Sequence, residues 1–356
     1  MTKFRQTLGV ILLASIAWCN TAAFGATNMP DPINSMCVGR FNIDLPGDAR
    51  ASIDSTYHYI GARSPESAVN FDEIKKELEV RKEKYAITQM KRNDRSDAIY
   101  RSGGLDPNKL YGKTQLVGFQ TEESEKLAVL SYHPKLDSPQ TTTEVHRFID
   151  GLQYVFKSED AGADAYPNTH NAMLSATMHF QPLPGRTQPS GYGFCIAGGM
   201  FADDGRPPVH ESFTLVARFK DHPDAQFTID ANAIDSPDKD EPSLKFRVDS
   251  ELGILRQSIQ GHVAVLVRGE HEAAGQKGYQ IGLSVPNDAV AGTTAYKFFW
   301  AADGVPNDVT RPYMEVQLTI QPDADRLATI TTADAAKAMW EELLQGIQIR
   351  PGAARH

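Results

Sequence analysis

Long apolar runs are scarce in this 356-residue chain. The longest, Leu8 to Trp18, has about eleven residues against the ~20 needed to cross a bilayer, which argues against a membrane-spanning mature protein. Cysteine is scarcer still: there are three, and Cys19 lies within that first run. Positive charge is in the minority, with 36 Lys and Arg against 45 Asp and Glu and a net charge of −9. Nothing in that balance favours nucleic acid or an anionic lipid surface as partner.

Catalytic signatures are missing as well. No G-x-S-x-G elbow occurs, and the nearest serine context, Gln188-Pro189-Ser190-Gly191, sits among chain breakers where a strained strand-to-helix turn is not expected. His210-Glu211 and His271-Glu272 each begin an H-E-x-x-H pattern, but Thr214 and Gly275 stand where the second histidine belongs. The Gly-rich pieces "IAGGMF" and "RSGGLD" lack the spacing of a phosphate cradle. His133, His146, His170, His179 and His222 are scattered through loops and strands, so they read as surface or satisfied-core residues. No cofactor or metal is expected. Paired carboxylates stay open, because their partnership is a distance in space.

The N-terminus has the form of an export signal: Lys3 and Arg5, the apolar run, then small residues around Ala22, Ala23 and Ala26. Residues 1–26 are expected to leave, taking Cys19 with them, and the mature protein to be periplasmic. Trp18 occupies the position where a lipobox wants a small residue, which argues against a lipid anchor. Cys37 and Cys195 then remain as the candidate disulfide in an oxidising compartment. They either bond across the molecule or lie buried separately.

Several elements are legible. "MCVGRFNIDLP" reads as a strand with Val38, Phe41, Ile43 and Leu45 facing a core and Pro46 closing it. Asn70 caps a helix to Gln89, with Phe71, Ile74, Leu78 and Tyr85 on one stripe and Glu77 pairing Arg81 on the other. Strand-like runs cover 114–119, 127–132, 144–149 and 152–156, the last two joined at Asp150-Gly151, a primed-turn dipeptide. A helix over 168–177 leads to the cluster Pro182, Pro184, Gly185, Pro189 and Gly191, the clearest breaker region.

Beyond it, strand patterns fill 213–219, 227–231, 262–267, 279–283, 294–300 and 313–320. The polar run 235–242 reads as a surface loop. A final helix has Thr331 and Asp334 as its capping box, with Ala336, Trp340, Leu343 and Ile347 on one face and Trp340 as core anchor. In the aromatic triplet, Phe299 points opposite to Phe298 and Trp300, so one ring is a candidate partner anchor. "FCIAGGMF" opens the second half as "MCVGRF" opens the first, and "AMLSATMHFQPLPG" parallels "AMWEELLQGIQIRPG" at the ends. The expectation is an α+β fold of two tandem, related domains, each an antiparallel sheet with packed helices: 27–184, a linker at 185–192, and 193–356.

Four motifs in order, "CVGRFNIDLP" at Cys37, "GFCIAGG" at Gly193, "FFWAADG" at Phe298 and "WEELLQGIQIRP" at Trp340, resemble the immunity proteins against type VI secretion lipase effectors of the fourth class. The resemblance spans Cys37 to Pro351. It implies a non-enzymatic periplasmic inhibitor whose two domains grip a phospholipase toxin, encoded next door, and keep its lid from opening. Tyr279 and Gln280 depart from the acidic residues the family tends to carry there, and no contact residue can be carried over. The competing readings are an envelope ligand-binding protein and a hydrolase with unrecognised catalytic carboxylates.

Overall fold

Gly39 splits the first apolar run in two. Its φ of +59° turns the chain, and a Cβ there would lie 2.6 Å from the Phe213 ring. What reads as one strand is therefore a hairpin, β1 (Asn34–Val38) against β2 (Phe41–Leu45). Val38, Phe41, Ile43 and Leu45 are all buried. The computed structural model describes residues 34–62, 65–68, 70–160, 162–183, 189–203, 210–236, 242–250, 263–287 and 289–354. The expected leader, half of the expected linker (185–188) and most of the 235–242 loop lie outside these residues.

Among the described residues, thirteen strands make one antiparallel sheet. The N-terminal half supplies β3 (Arg50–Tyr57), β4 (Ile60–Ala62), the short β5 (Glu66–Ser67), β6 (Leu116–Glu122), β7 (Leu127–Tyr132), β8 (Thr141–Ile149) and β9 (Leu152–Asp160). Asp150 and Gly151 both have positive φ in the β8–β9 turn, as a primed turn requires. Helices α1 (Phe71–Ile87), α2 (Asp94–Ser102) and α3 (Pro107–Leu110) lie between β5 and β6, and α4 (Tyr166–Met178) leads to β10 (Phe180–Pro182). The C-terminal half supplies β11 (Gly193–Ile196), β12 (Gly199–Ala202), β13 (Ser212–Arg218), β14 (Ala225–Asn232), β15 (Ala264–Ala273), β16 (Gln276–Pro286), β17 (Thr294–Ala302) and β18 (Tyr313–Ile320). The C-terminal helix (Ala333–Gln345) and β19 (Ile347–Ile349) follow. No described helix is long and apolar enough to cross a membrane.

Strand order across the sheet is β15-β16-β17-β18-β14-β13-β3-β4-β9-β8-β7-β6. The halves repeat one order of elements, and they meet where β13 pairs antiparallel with β3, so the sheet runs from one half into the other without a break. The ends of the halves are exchanged. β10 joins the hairpin β11–β12, while β19, the tail of the second half, joins β1–β2. The register is the same in both small sheets: Cys37 faces Asn42 beside Gln348, and Cys195 faces Met200 beside Gln181.

One apolar core lies between the large sheet and a layer made of both small sheets, α4 and the C-terminal helix. Trp340 is its anchor, fully buried, stacked 5.5 Å from Phe298 and donating its indole N–H to Gln280 at 2.9 Å. The helix cap is Thr332, not Thr331: its hydroxyl accepts from the Ala335 amide. The opposite face carries two smaller apolar clusters, one under α1 and one under a helical stretch at 244–250.

Two buried polar clusters fix this arrangement. Arg40, in the first hairpin's turn, forks onto Glu211, also reaches Asp203, and donates to the Ala353 carbonyl at 2.6 Å. Burial would lower its pKa, but Glu211 and Asp203 reverse the effect and raise it. Arg350 adds hydrogen bonds of 2.8 Å to the carbonyls of Gly191 and Gly193. Beneath α1, Arg81 pairs at 2.9 Å with Glu144 of the sheet and not with Glu77, because Glu144 is buried and needs a cation. Glu144 also accepts from Tyr132 and His146, at 2.8 and 3.2 Å. Burial pulls its pKa up, but hydrogen bonds from His146 and Tyr132 and the charge of Arg81 hold it at about 2.

Three measurements check these attributions. Arg40→Met strands Glu211 and should lower stability by ~3–5 kcal/mol in urea unfolding, with Arg40→Met/Glu211→Leu recovering most of it. Cys37 and Cys195 stand as a bonded pair with Cα atoms 5.7 Å apart and 158 positions between them. Protein from an oxidising compartment should therefore resist alkylation until reduced, and two free thiols by mass would refute this. Because Glu144 titrates lower folded than unfolded, its contribution is complete above pH ~4.5 and is lost as pH falls towards ~2. Glu144→Gln should flatten that acid limb by up to ~3 kcal/mol, read from urea midpoints at pH 2.5, 4.5 and 7.

Candidate functional site

Strand alternation decides what the second face of the sheet presents. On β3, Ala51, Ile53 and Tyr57 turn to the core, so Arg50, Ser52 and Asp54 turn outward, and all three are exposed. β13, β14 and β18 alternate in the same way: Phe213, Leu215, Ala217, Phe227, Ile229, Met314, Val316 and Leu318 are core, and their outward neighbours are polar apart from Val216. At the β7–β8 end this outer face is covered by α1, through Phe71, Ile74 and Leu78. At the β16–β17 end it is covered by the 244–250 stretch, through Leu244 and Val248. Between the two covers lie the outward side chains of the central strands.

The ladder aligns those side chains into rows across the strands. Asp54 pairs with Thr214, Thr214 with Asp230, and Asp230 with Glu315, which places three carboxylates in one lateral row. Four residues along each strand, Arg50 pairs with Arg218, Arg218 with Gln226, Gln226 with Thr319, and Thr319 with Lys297. That is a second row, with three cations. At ~3.3 Å per residue the rows are ~13 Å apart, and at ~4.8 Å per strand each extends over more than 14 Å. Ser52, Val216, Thr228, Gln317 and Phe299 fill the row halfway between them.

The acidic row is partly ordered from within the sheet. The Thr214 hydroxyl donates to Asp230 at 2.5 Å, and the Tyr313 phenol donates to Glu315. Arg247 of the 244–250 stretch lies over the Tyr313 ring at 5.6 Å and forms an ion pair with Asp303. Directly opposed like charges, Asp230 with Glu315 and Arg50 with Arg218, are unfavourable within a sheet. Lys297 is half-buried, and that burial lowers its pKa. Among the described residues no group of three His, Cys, Asp or Glu is placed to hold a metal ion. What it offers is a wide polar surface of two signs between two covers.

The residues singled out in the sequence lie elsewhere. Tyr279 and Gln280 are 9 % and 8 % exposed: the first belongs to the cluster under 244–250, and the second accepts the Trp340 indole N–H. Their departure from the expected acids is thus answered inside the fold. Phe299 does point away from Phe298 and Trp300, but it packs partly buried against that same cluster. Glu211 of the first H-E pair is the buried partner of Arg40, and the carbonyl of His271 in the second accepts the Trp300 indole N–H at 3.0 Å. Ser190 is exposed. Cys37 and Cys195 sit on the other side of the sheet, in the small sheets. The charged rows were missed: each member is visible as a charge in an alternating strand, but rows need the register between strands far apart in sequence.

No curated protein matches the chain in sequence. Residues 187–352 match the family described as the Tle cognate immunity protein 4 C-terminal domain. Three solved structures are similar, each at 17% identity and each covering 90% of this chain and 98% of the other: the Tle4–Tli4 complex with a TM-score of 0.72, the apo immunity protein TplEi of the type VI secretion system of Pseudomonas aeruginosa with 0.71, and TplEi complexed with an "L" peptide with 0.65. The family is one of immunity proteins and not of enzymes. Over residues 187–352 the chain is thus similar to the Tle cognate immunity protein 4 C-terminal domain, and its fold as a whole is that of the solved immunity proteins.

Proposed function

We propose that this chain is a periplasmic immunity protein that binds a lipase effector of the type VI secretion system and holds it inactive by covering its lid and active site. The observation that carries the reading is the family match over residues 187–352, joined to a fold shared with the immunity protein of the Tle4–Tli4 complex. The export-type N-terminus agrees with a toxin met in the periplasm.

In this reading the outer sheet face and its two covers form the docking surface. A specific interface needs ~800 Å² on each partner, so the central strands would have to engage together with the rims of α1 and 244–250. The inhibition needs no chemistry. A lipase that must uncover an apolar active site before acting is held in its closed state by any protein that binds the closed state more tightly than the open one. The inhibitor then contributes its differential affinity to the opening barrier.

The test is direct. The mature chain, co-expressed with the reading frame beside its gene that carries a G-x-S-x-G elbow, should purify as a stoichiometric complex, and the effector's lipase activity should vanish as the ratio reaches one. Lack of a complex together with undiminished lipase activity would reject the reading.

A further inference from the structure

The outer face between α1 and the 244–250 stretch has charge of both signs, sorted in space. At one end of the central strands stand Asp54, Asp230 and Glu315, and four residues along each strand stand Arg50, Arg218 and Lys297. A sheet face that only had to be soluble would gain by mixing the signs, since like charges in directly opposed positions repel and opposite charges attract. Here the register does the reverse, setting Asp230 against Glu315 and Arg50 against Arg218. Among the described residues no cation is ion-paired with Asp54, Asp230 or Glu315, and no carboxylate with Arg50 or Arg218, whereas Arg81, Arg247, Arg268, Arg311 and Arg326 all have acidic partners. Among the described residues these charges are left to an outside partner.

We infer that this face is where the effector docks, and that the segment it receives presents a cationic side chain to the Asp54–Asp230–Glu315 row and an anionic one, ~13 Å away, to the Arg50–Arg218–Lys297 row. The inference rests on the proposed function and specifies the chemistry of the bound segment. Two separated signs fix the direction in which that segment lies across the strands: rotated by half a turn, it would set like charge on like charge at both rows. A partner with the opposite arrangement would be turned away by the same rows.

The experiment uses the mature full-length chain and the purified lipase encoded beside its gene. Binding is measured by titration calorimetry at 50 mM and 500 mM salt for the wild type, Asp54→Lys, Arg50→Glu and the control Glu342→Gln, whose side chain lies on the C-terminal helix at the other face. Asp54 and Arg50 are both exposed, so these variants should fold as the parent does, which thermal melts verify. Each should weaken binding on the order of tenfold or more at low salt, with a smaller loss at high salt, while the control binds as the wild type does.

A further variant, Asp230→Asn/Glu315→Gln, separates a docking role from a structural one. It keeps both acceptors and removes the repulsion, so its melting temperature should rise while its affinity falls; a structural role would lower the melting temperature. Binding by Asp54→Lys and Arg50→Glu that equals the wild type at both salt concentrations would overturn the inference and leave the immunity reading standing. A wild-type chain that does not bind the lipase at all would overturn both.

Discussion

The pairing of Arg50–Thr56 with Ser212–Arg218 is the contact on which the rest of the molecule depends. Each strand would otherwise end its own half's sheet with an unpaired backbone edge, a surface that invites association with other chains. β4 is three residues long and covers only one side of β3, so the first half has no strand of its own to close that edge. The pair satisfies both edges at once and fixes which side chains look outward. A slip of one residue would turn Leu215 and Ile53 out of the core and would scatter the charged rows. Stability and surface pattern are set by the same hydrogen bonds.

Around this pair the two halves repeat, and the repetition explains the crossed tails. A unit made of a hairpin, a sheet and a trailing helix and strand has to find a third strand for its hairpin. With two such units in one chain, each tail has two hairpins within reach. β10 follows α4 directly into β11–β12, which leaves β19 to close β1–β2. The N- and C-terminal parts of the described chain thus lie in one small sheet, held by Arg40 bonded to Ala353, and the Cys37–Cys195 pair, beside the reciprocal Gly39 and Cys195 backbone bonds of 2.8 Å, ties that sheet to the other one. Contacts of such sequence separation form late in folding, because the loops they close are long. A disulfide there acts mainly by removing freedom from the unfolded chain, on the order of 5 kcal/mol for a loop of this length before any strain is subtracted.

Local patterns were legible and distant registers were not. Asn70, the Asp150-Gly151 turn and the Trp340 stripe announced themselves because caps, primed turns and helical faces are written within a few residues. The single strand expected at Met36 to Pro46 is a hairpin because Gly39, at positive φ, turns the chain inside an otherwise alternating run. Glu77 looked like the partner of Arg81 because an i,i+4 pair is visible in sequence, whereas Glu144 is distant in the chain and its burial makes it the stronger claimant. The likeness of the half-ends was also legible, but not which tail would serve which hairpin. Only the assembled sheet decides that, and with it the composition of the outer face.

The repeat and the charge pattern obey different symmetries. An operation that superposes the first half on the second must exchange the two antiparallel strands β3 and β13, and so must carry one end of the central strands onto the other. The core residues tolerate that exchange, since both halves place aliphatic and aromatic side chains on their inner faces. The outer rows do not, because the acids and the cations are sorted towards different ends of those strands, and the exchange would reverse that order. A duplicated scaffold supplies two equivalent covers and a face between them, and substitutions at outward positions then give that face a direction without disturbing packing. Surface positions of this kind change cheaply, usually within about ±0.5 kcal/mol, whereas replacing a buried arginine or the tryptophan anchor strands a partner or opens a cavity. The fold shared with the solved immunity proteins at 17% identity shows that the shape depends on pattern and core volume more than on most individual residues.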